Sequence, residues 1–168
     1  RLVGDGLFRE ATMLYSVNGA PAPSIALQAA MFATGEKTVT LAADASAVTT
    51  TGGIPRGLSL HNRAIDLTPT AGMRLYFPRF VRAAETPAWR VLDPGASNGQ
   101  LRGEVVLIGL DATQGKRIET DRGAISLASA HALAAGQLLT GSALTRPSWA
   151  GYLEAISVML LGAAAIMW

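Results

Sequence analysis

Between Gly103 and Gly109 the chain reads Glu104-Val105-Val106-Leu107-Ile108, and this stretch limits the possible folds more than any other. Four consecutive aliphatic residues, three of them β-branched, show no polar alternation. Such a run predicts a strand buried on both faces, as in the interior of a parallel sheet. Gly109 gives the backbone freedom to turn where the strand ends. Past the polar loop 110–123, apolar residues return at helical spacing: Ile125, Ala128, Ala132, Ala135 and Leu139. Strand, loop and helix make half of a βαβ unit. The expected fold is therefore α/β, a mixed β-sheet with a central buried strand and flanking helices.

The segments before this strand carry their own punctuation. Residues 10–17 read as a strand that stops at Asn18-Gly19, a strong turn dipeptide. Ser24 is placed to cap a helix running to about Phe32, and Gly35 to end it. Its apolar residues form no single stripe, which predicts burial on more than one side. Residues 38–41 are β-prone, and 42–53, rich in Ala, Ser, Thr and Gly, reads as a surface loop. Residues 57–62 and 63–67 alternate apolar with polar and predict half-exposed strands. A turn at 68–72 leads to a strand over 73–77, stopped by Pro78. Residues 80–94 read as a short helix and loop with Trp89 as a packing anchor.

The last segment, 149–168, holds a single charged residue, Glu154, with Trp149, Tyr152 and Trp168 towards its ends. Its length and terminal aromatics predict a C-terminal transmembrane helix. Residues 1–145 are accordingly read as one extramembrane domain and 146–168 as the start of the membrane segment. Arg1 in place of a methionine suggests an excerpt of a longer protein.

Composition narrows the partners. Fourteen basic against twelve acidic residues are scattered along the chain, which gives no electrostatic footprint for nucleic acid. The absence of cysteine removes disulfides and thiolate metal ligands. Two apparent motifs fail on spacing. Gly109 to Gly115-Lys116 follows the strand like a phosphate loop, but five residues rather than four separate its glycines, and Arg117 stands where a hydroxyl would hold Mg²⁺. Gly95-Ala96-Ser97-Asn98-Gly99 matches a serine-hydrolase elbow, yet Pro94 precedes it and a strand follows, the reverse of the strand–turn–helix that exposes such a serine. A hydrolase using Ser97 with His61 or His131 stays as an alternative reading. His131 sits beside the apolar stripe of the second helix, either as a packing histidine or as a ligand contact at the sheet edge. No second ligand lies at metal spacing on that helix, so neither a metal nor another cofactor is expected.

Several segments also carry a resemblance. Leu101-Arg102-Gly103-Glu104-Val105-Val106-Leu107-Ile108-Gly109, then His131-Ala132, then Leu138-Leu139-Thr140-Gly141, resembles the end of a type-two CHASE domain. In that family a "gk-VVLIG" strand precedes a "GvevHA" helix and then membrane-spanning helices. Asp5-Gly6-Leu7-Phe8-Arg9 resembles the family's "DGvvR" element, and Pro23-Ser24-Ile25-Ala26-Leu27 its "PSLAL" helix start. The matches occur in family order along nearly the whole chain. One departure lies in the loop after the strand, where Asp121 replaces the proline of a "D…tP" pattern.

The resemblance implies an extracytoplasmic sensory domain of a bacterial receptor at the inner membrane, periplasmic or extracellular, without catalysis of its own. It would act as a homodimer, receive a small-molecule or protein signal, and drive an adenylate or guanylate cyclase, a histidine kinase or another kinase. The expected ligand-binding residues are Asp111, Lys116, Arg117 and His131. A dimerisation or scaffold module without a ligand is the other alternative.

Overall fold

A computed structural model of the chain describes residues 7–43, 55–77, 85–93, 101–110, 115, 117–121, 123–144, 147 and 149–167. Among these, nine short strands and four helices form an α/β arrangement of several small sheets. β1 (Glu10–Thr12) pairs with β7 (Gly72–Arg74), and β2 (Leu14–Val17) with β3 (Ala20–Pro23). β4 (Thr40–Ala43), β5 (Pro55–Leu60) and β6 (Arg63–Asp66) form a three-stranded sheet, and β8 (Arg117–Thr120) pairs with β9 (Gly123–Ser126). Every one of these ladders is antiparallel.

The turns follow from residues that tolerate left-handed backbone. Asn18 and Gly19, with φ of 53° and 80°, close the β2–β3 hairpin in two residues, as the dipeptide predicts. His61 and Asn62 (φ 50° and 59°) do the same between β5 and β6, so the two half-exposed segments read from the sequence are the arms of one hairpin. The 110–123 stretch, read as a loop, contains β8 and the turn that leads into β9. Ile118 and Thr120 are buried on β8 while Arg117 and Glu119 are exposed, the period-two pattern of a strand with one covered face.

Two helices cover the sheets. α1 (Ile25–Thr34) starts where the Ser24 hydroxyl accepts the Leu27 N–H at 3.3 Å and ends at left-handed Gly35. It buries Ala26, Leu27, Ala29 and Ala30 and leaves Ile25 and Phe32 exposed, so its burial is one-sided. α3 (Leu127–Thr140) is capped by Ser126, whose hydroxyl accepts from the Ser129 N–H at 3.1 Å, and closes at left-handed Gly141. Its buried positions are Ala130, Ala134, Ala135, Gln137 and Leu138, a stripe rotated from the one read in the sequence. α1 and α3 pack together, and with Met13, Leu58, Leu60 and Met73 they enclose the core. Trp89, on the short α2 (Ala88–Leu92), is exposed beneath the Arg90 guanidinium and anchors no packing.

The central buried strand is not formed. Residues 104–110 run without a ladder partner, and Val105, Val106 and Ile108 are 44, 53 and 94% exposed. A strand buried on both faces needs neighbours on both edges, and no described strand pairs with this segment. Gly109 serves close approach rather than a turn: a Cβ there would lie 2.4 Å from the Ala128 Cβ in the first turn of α3. The two readings differ sharply for Val106→Asp. A doubly buried strand would be unfolded by the charge, whereas the observed exposure predicts a loss within about 0.5 kcal/mol, as for other surface substitutions. Urea denaturation of that variant decides between them.

The C-terminal segment forms α4 (Ala150–Met167), exposed at residues 151–166. At 1.5 Å per residue it is about 27 Å long, just short of a hydrocarbon core of about 30 Å. Among the described residues no helix is long and apolar enough to cross a membrane, so the expected span is not supported.

Candidate functional site

The β1–β7 ladder brings two distant segments of charge together. Glu10 stands directly across from Arg74, and the ladder extends one residue further through the Leu75 N–H, which donates to the Arg9 carbonyl at 2.9 Å. An acid and a base at facing positions would ordinarily pair across the strands. Here the Glu10 carboxylate turns to the neighbouring 68–70 turn, where it accepts from Thr68 Oγ1 at 2.6 Å and from Thr70 Oγ1. Gly72 permits this, because a Cβ there would lie 2.2 Å from Glu10 Oε1.

The consequence is a cleft of about 350 Å³ beside the ladder, lined by Arg9, Arg74, Tyr76, Phe77, Asp121 and Leu144, with Glu10 and Leu75 at its wall. Asp121 arrives from the β8–β9 turn, which is held nearby where the Phe8 N–H donates to the Glu119 carbonyl at 2.7 Å. Leu144 arrives from the segment after α3, its N–H directed at the Arg74 carbonyl at 3.4 Å. The volume falls at the small end of ordinary ligand pockets.

One side chain couples the cleft to α3. Gln137, only 5% exposed, accepts the Tyr76 N–H on Oε1 at 3.0 Å and donates Nε2 to the Tyr76 carbonyl. The amide thus continues the β7 ladder as a neighbouring strand would. Two residues further along α3, Arg63 Nη1 donates to the Leu139 carbonyl in the last turn of the helix. A cation there also complements the negative end of the helix dipole.

Of the four sequence-predicted ligand residues, Arg117 and His131 lie among the described residues. Arg117 is exposed on β8, where it alternates with buried Ile118. His131 is half-buried on α3, and that burial lowers its pKa below the ordinary histidine value. Asp111 and Lys116 lie outside the described residues, as does Ser97. His61 occupies the β5–β6 turn with Nδ1 3.4 Å from Glu36 Oε1. Among the described residues no group of His, Asp and Glu is arranged to hold a metal ion. Among the residues that line the cleft, Arg9 and Asp121 fell in segments that the resemblance marked, Asp121 as a departure from its pattern.

The His131 shift has a pH consequence. Above the unfolded-state pKa of about 6.5 the ring is neutral in both states and contributes no pH dependence. As pH falls through that value the unfolded chain takes up the proton more readily than the folded one. Stability should therefore fall on acidification, and His131→Gln should flatten the melting temperature between about pH 7 and 5.

These features define an α/β module with a ligand-sized cleft whose wall is tied to an outgoing helix. The chain belongs to the CHASE2 domain family, which it matches over residues 3–167. Domains of this family are extracellular or periplasmic sensors with no catalytic activity of their own, consistent with a sensory role for the chain. No curated protein and no solved structure shows significant similarity to the chain.

Proposed function

We propose that the chain is the signal-sensing domain of a bacterial transmembrane receptor, held outside the inner membrane and acting as a homodimer. Binding of a small-molecule or protein signal shifts α3 against the sheets. The shift passes through residues 141–149 into α4 and onward to a cytoplasmic cyclase or kinase.

The observation that carries this reading is the direct succession of cleft, helix and exit. Gln137 ties Tyr76 at the cleft to α3, Leu144 from the next segment lines the same cleft, and α4 begins a few residues later. Pro147 stiffens the joint and accepts the first hydrogen bond of α4, from the Ala150 N–H at 3.0 Å. So short a connection transmits the small shear or rotation that packed helices allow. α4 has aliphatic residues around its whole circumference and is exposed along its length, which suits a helix covered by lipid or by other helices.

The test is a flexible Gly-Ser insertion between Ser142 and Pro147 in the intact receptor. Output should become independent of stimulus while the domain's melting temperature is unchanged. A lengthened receptor that still responds normally would rule out this route. Membrane placement is checked separately, by fusing a reporter active only outside the cytoplasm ahead of residue 7.

A further inference from the structure

Resting on the sensory reading, we propose that the cleft beside the β1–β7 ladder binds a small organic monocarboxylate, with Arg74 as the residue that recognises its charge.

Glu10, the residue facing Arg74 across the ladder, has its carboxylate engaged by Thr68 and Thr70. Arg9 and Asp121, the other ionic groups at the cleft, have interactions of their own. Arg74 has no side-chain hydrogen bond or ion pair among the described residues, although a carboxylate stands opposite it in register. A guanidinium beside a cavity offers a planar fork of donors that matches a carboxylate in a bidentate pair.

The cleft's remaining surface sets the rest of the ligand. Leu75, Tyr76, Phe77 and Leu144 give it an apolar lining, so the anion must carry an apolar body. Arg74 offers its fork to one carboxylate, and the nearby acids Glu10 and Asp121 oppose a second negative charge on the ligand. Both features favour a monocarboxylate over inorganic phosphate, which shares the affinity for guanidinium but is more highly charged and has nothing to place against the apolar wall. Because Leu144 and Gln137-bound Tyr76 both border the cleft, a ligand seated there touches the exit segment directly.

Benzoate, its neutral isostere benzamide and inorganic phosphate serve as probes of the whole chain, with acetate and hexanoate extending the carboxylate series. Binding is read from the amide resonances of Tyr76 and Leu144. Benzoate should bind roughly tenfold or more tightly than benzamide, the margin expected of a charge-assisted pair over a neutral one. Phosphate should bind more weakly than benzoate. Arg74→Gln, which leaves the backbone ladder intact, should reduce benzoate to the level of benzamide, and Arg74→Lys should restore part of the difference; unchanged melting temperatures establish that both variants are folded.

Equal binding of benzoate and benzamide, a preference for phosphate, benzoate affinity unaffected by Arg74→Gln, or no binding of any of the three carboxylates would each overturn the proposal. None of those results touches the linker insertion, which tests transmission whatever the ligand. Conversely, a receptor that signals normally with the insertion leaves the binding result standing.

Discussion

Gln137→Leu should destabilise the domain by about 2–4 kcal/mol, although the two side chains are similar in size. The wild-type amide satisfies both the N–H and the C=O of Tyr76. Leucine supplies neither partner, so two main-chain groups at the helix–sheet junction lose their hydrogen bonds, at about 1–2 kcal/mol each. Equilibrium denaturation measures the loss. A change below about 0.5 kcal/mol would show that water replaces the amide without cost and that the clasp holds nothing. The same variant should weaken stimulus response in the intact receptor even at temperatures where it remains folded, because the cleft wall and α3 would then move separately.

Leu27→Ala should cost about 2–5 kcal/mol, the range for removing a large aliphatic side chain from a packed interior. Leu27 is 0% exposed on α1 and belongs to the cluster that also contains Met13, Leu58, Met73 and Leu138. The neighbouring buried positions on both helices are mostly alanines, which cannot extend into the vacated space. The cost should therefore sit towards the upper part of the range. Thermal or urea unfolding against wild type is the measurement, and a loss under about 1 kcal/mol would mean that the interior collapses to fill the cavity.

What could be read from the residues in advance was the local punctuation. Ser24 and Gly35 cap α1 and Asn18-Gly19 turns a hairpin, each decided by the geometry of one or two residues. The β8–β9 hairpin was hidden because Ile118 is the one aliphatic residue in a charged β8, too little for a visible alternation. The His61-Asn62 turn is obscured because its two residues close the alternating run 57–62, which reads as strand to its end. Val105-Val106-Leu107-Ile108 shows the opposite failure. Its composition favours a buried strand, but composition cannot supply the neighbours on which burial depends.

The candidate site was less legible than the fold. Arg9, Arg74 and Leu144 are far apart in the chain and meet only through the β1–β7 register, which no local pattern encodes. Gln137 did leave a trace, as a polar residue within the last apolar turns of α3. The stripe first drawn through Ala128, Ala132, Ala135 and Leu139 put it on the wrong face.

The alanine-lined contact between α1 and α3 bears on how freely this domain can move. Helices that interlock through large side chains resist displacement, because each knob must leave one groove before it enters the next. α1 and α3 pack together, and most of what each buries is alanine: Ala26, Ala29 and Ala30 on α1, Ala130, Ala134 and Ala135 on α3, with Leu27 and Leu138 as the larger buried apolar side chains. Gln137 ties α3 to the residues just after β7. In the proposed mechanism, small buried side chains would oppose a displacement of α3 less than interlocking large ones.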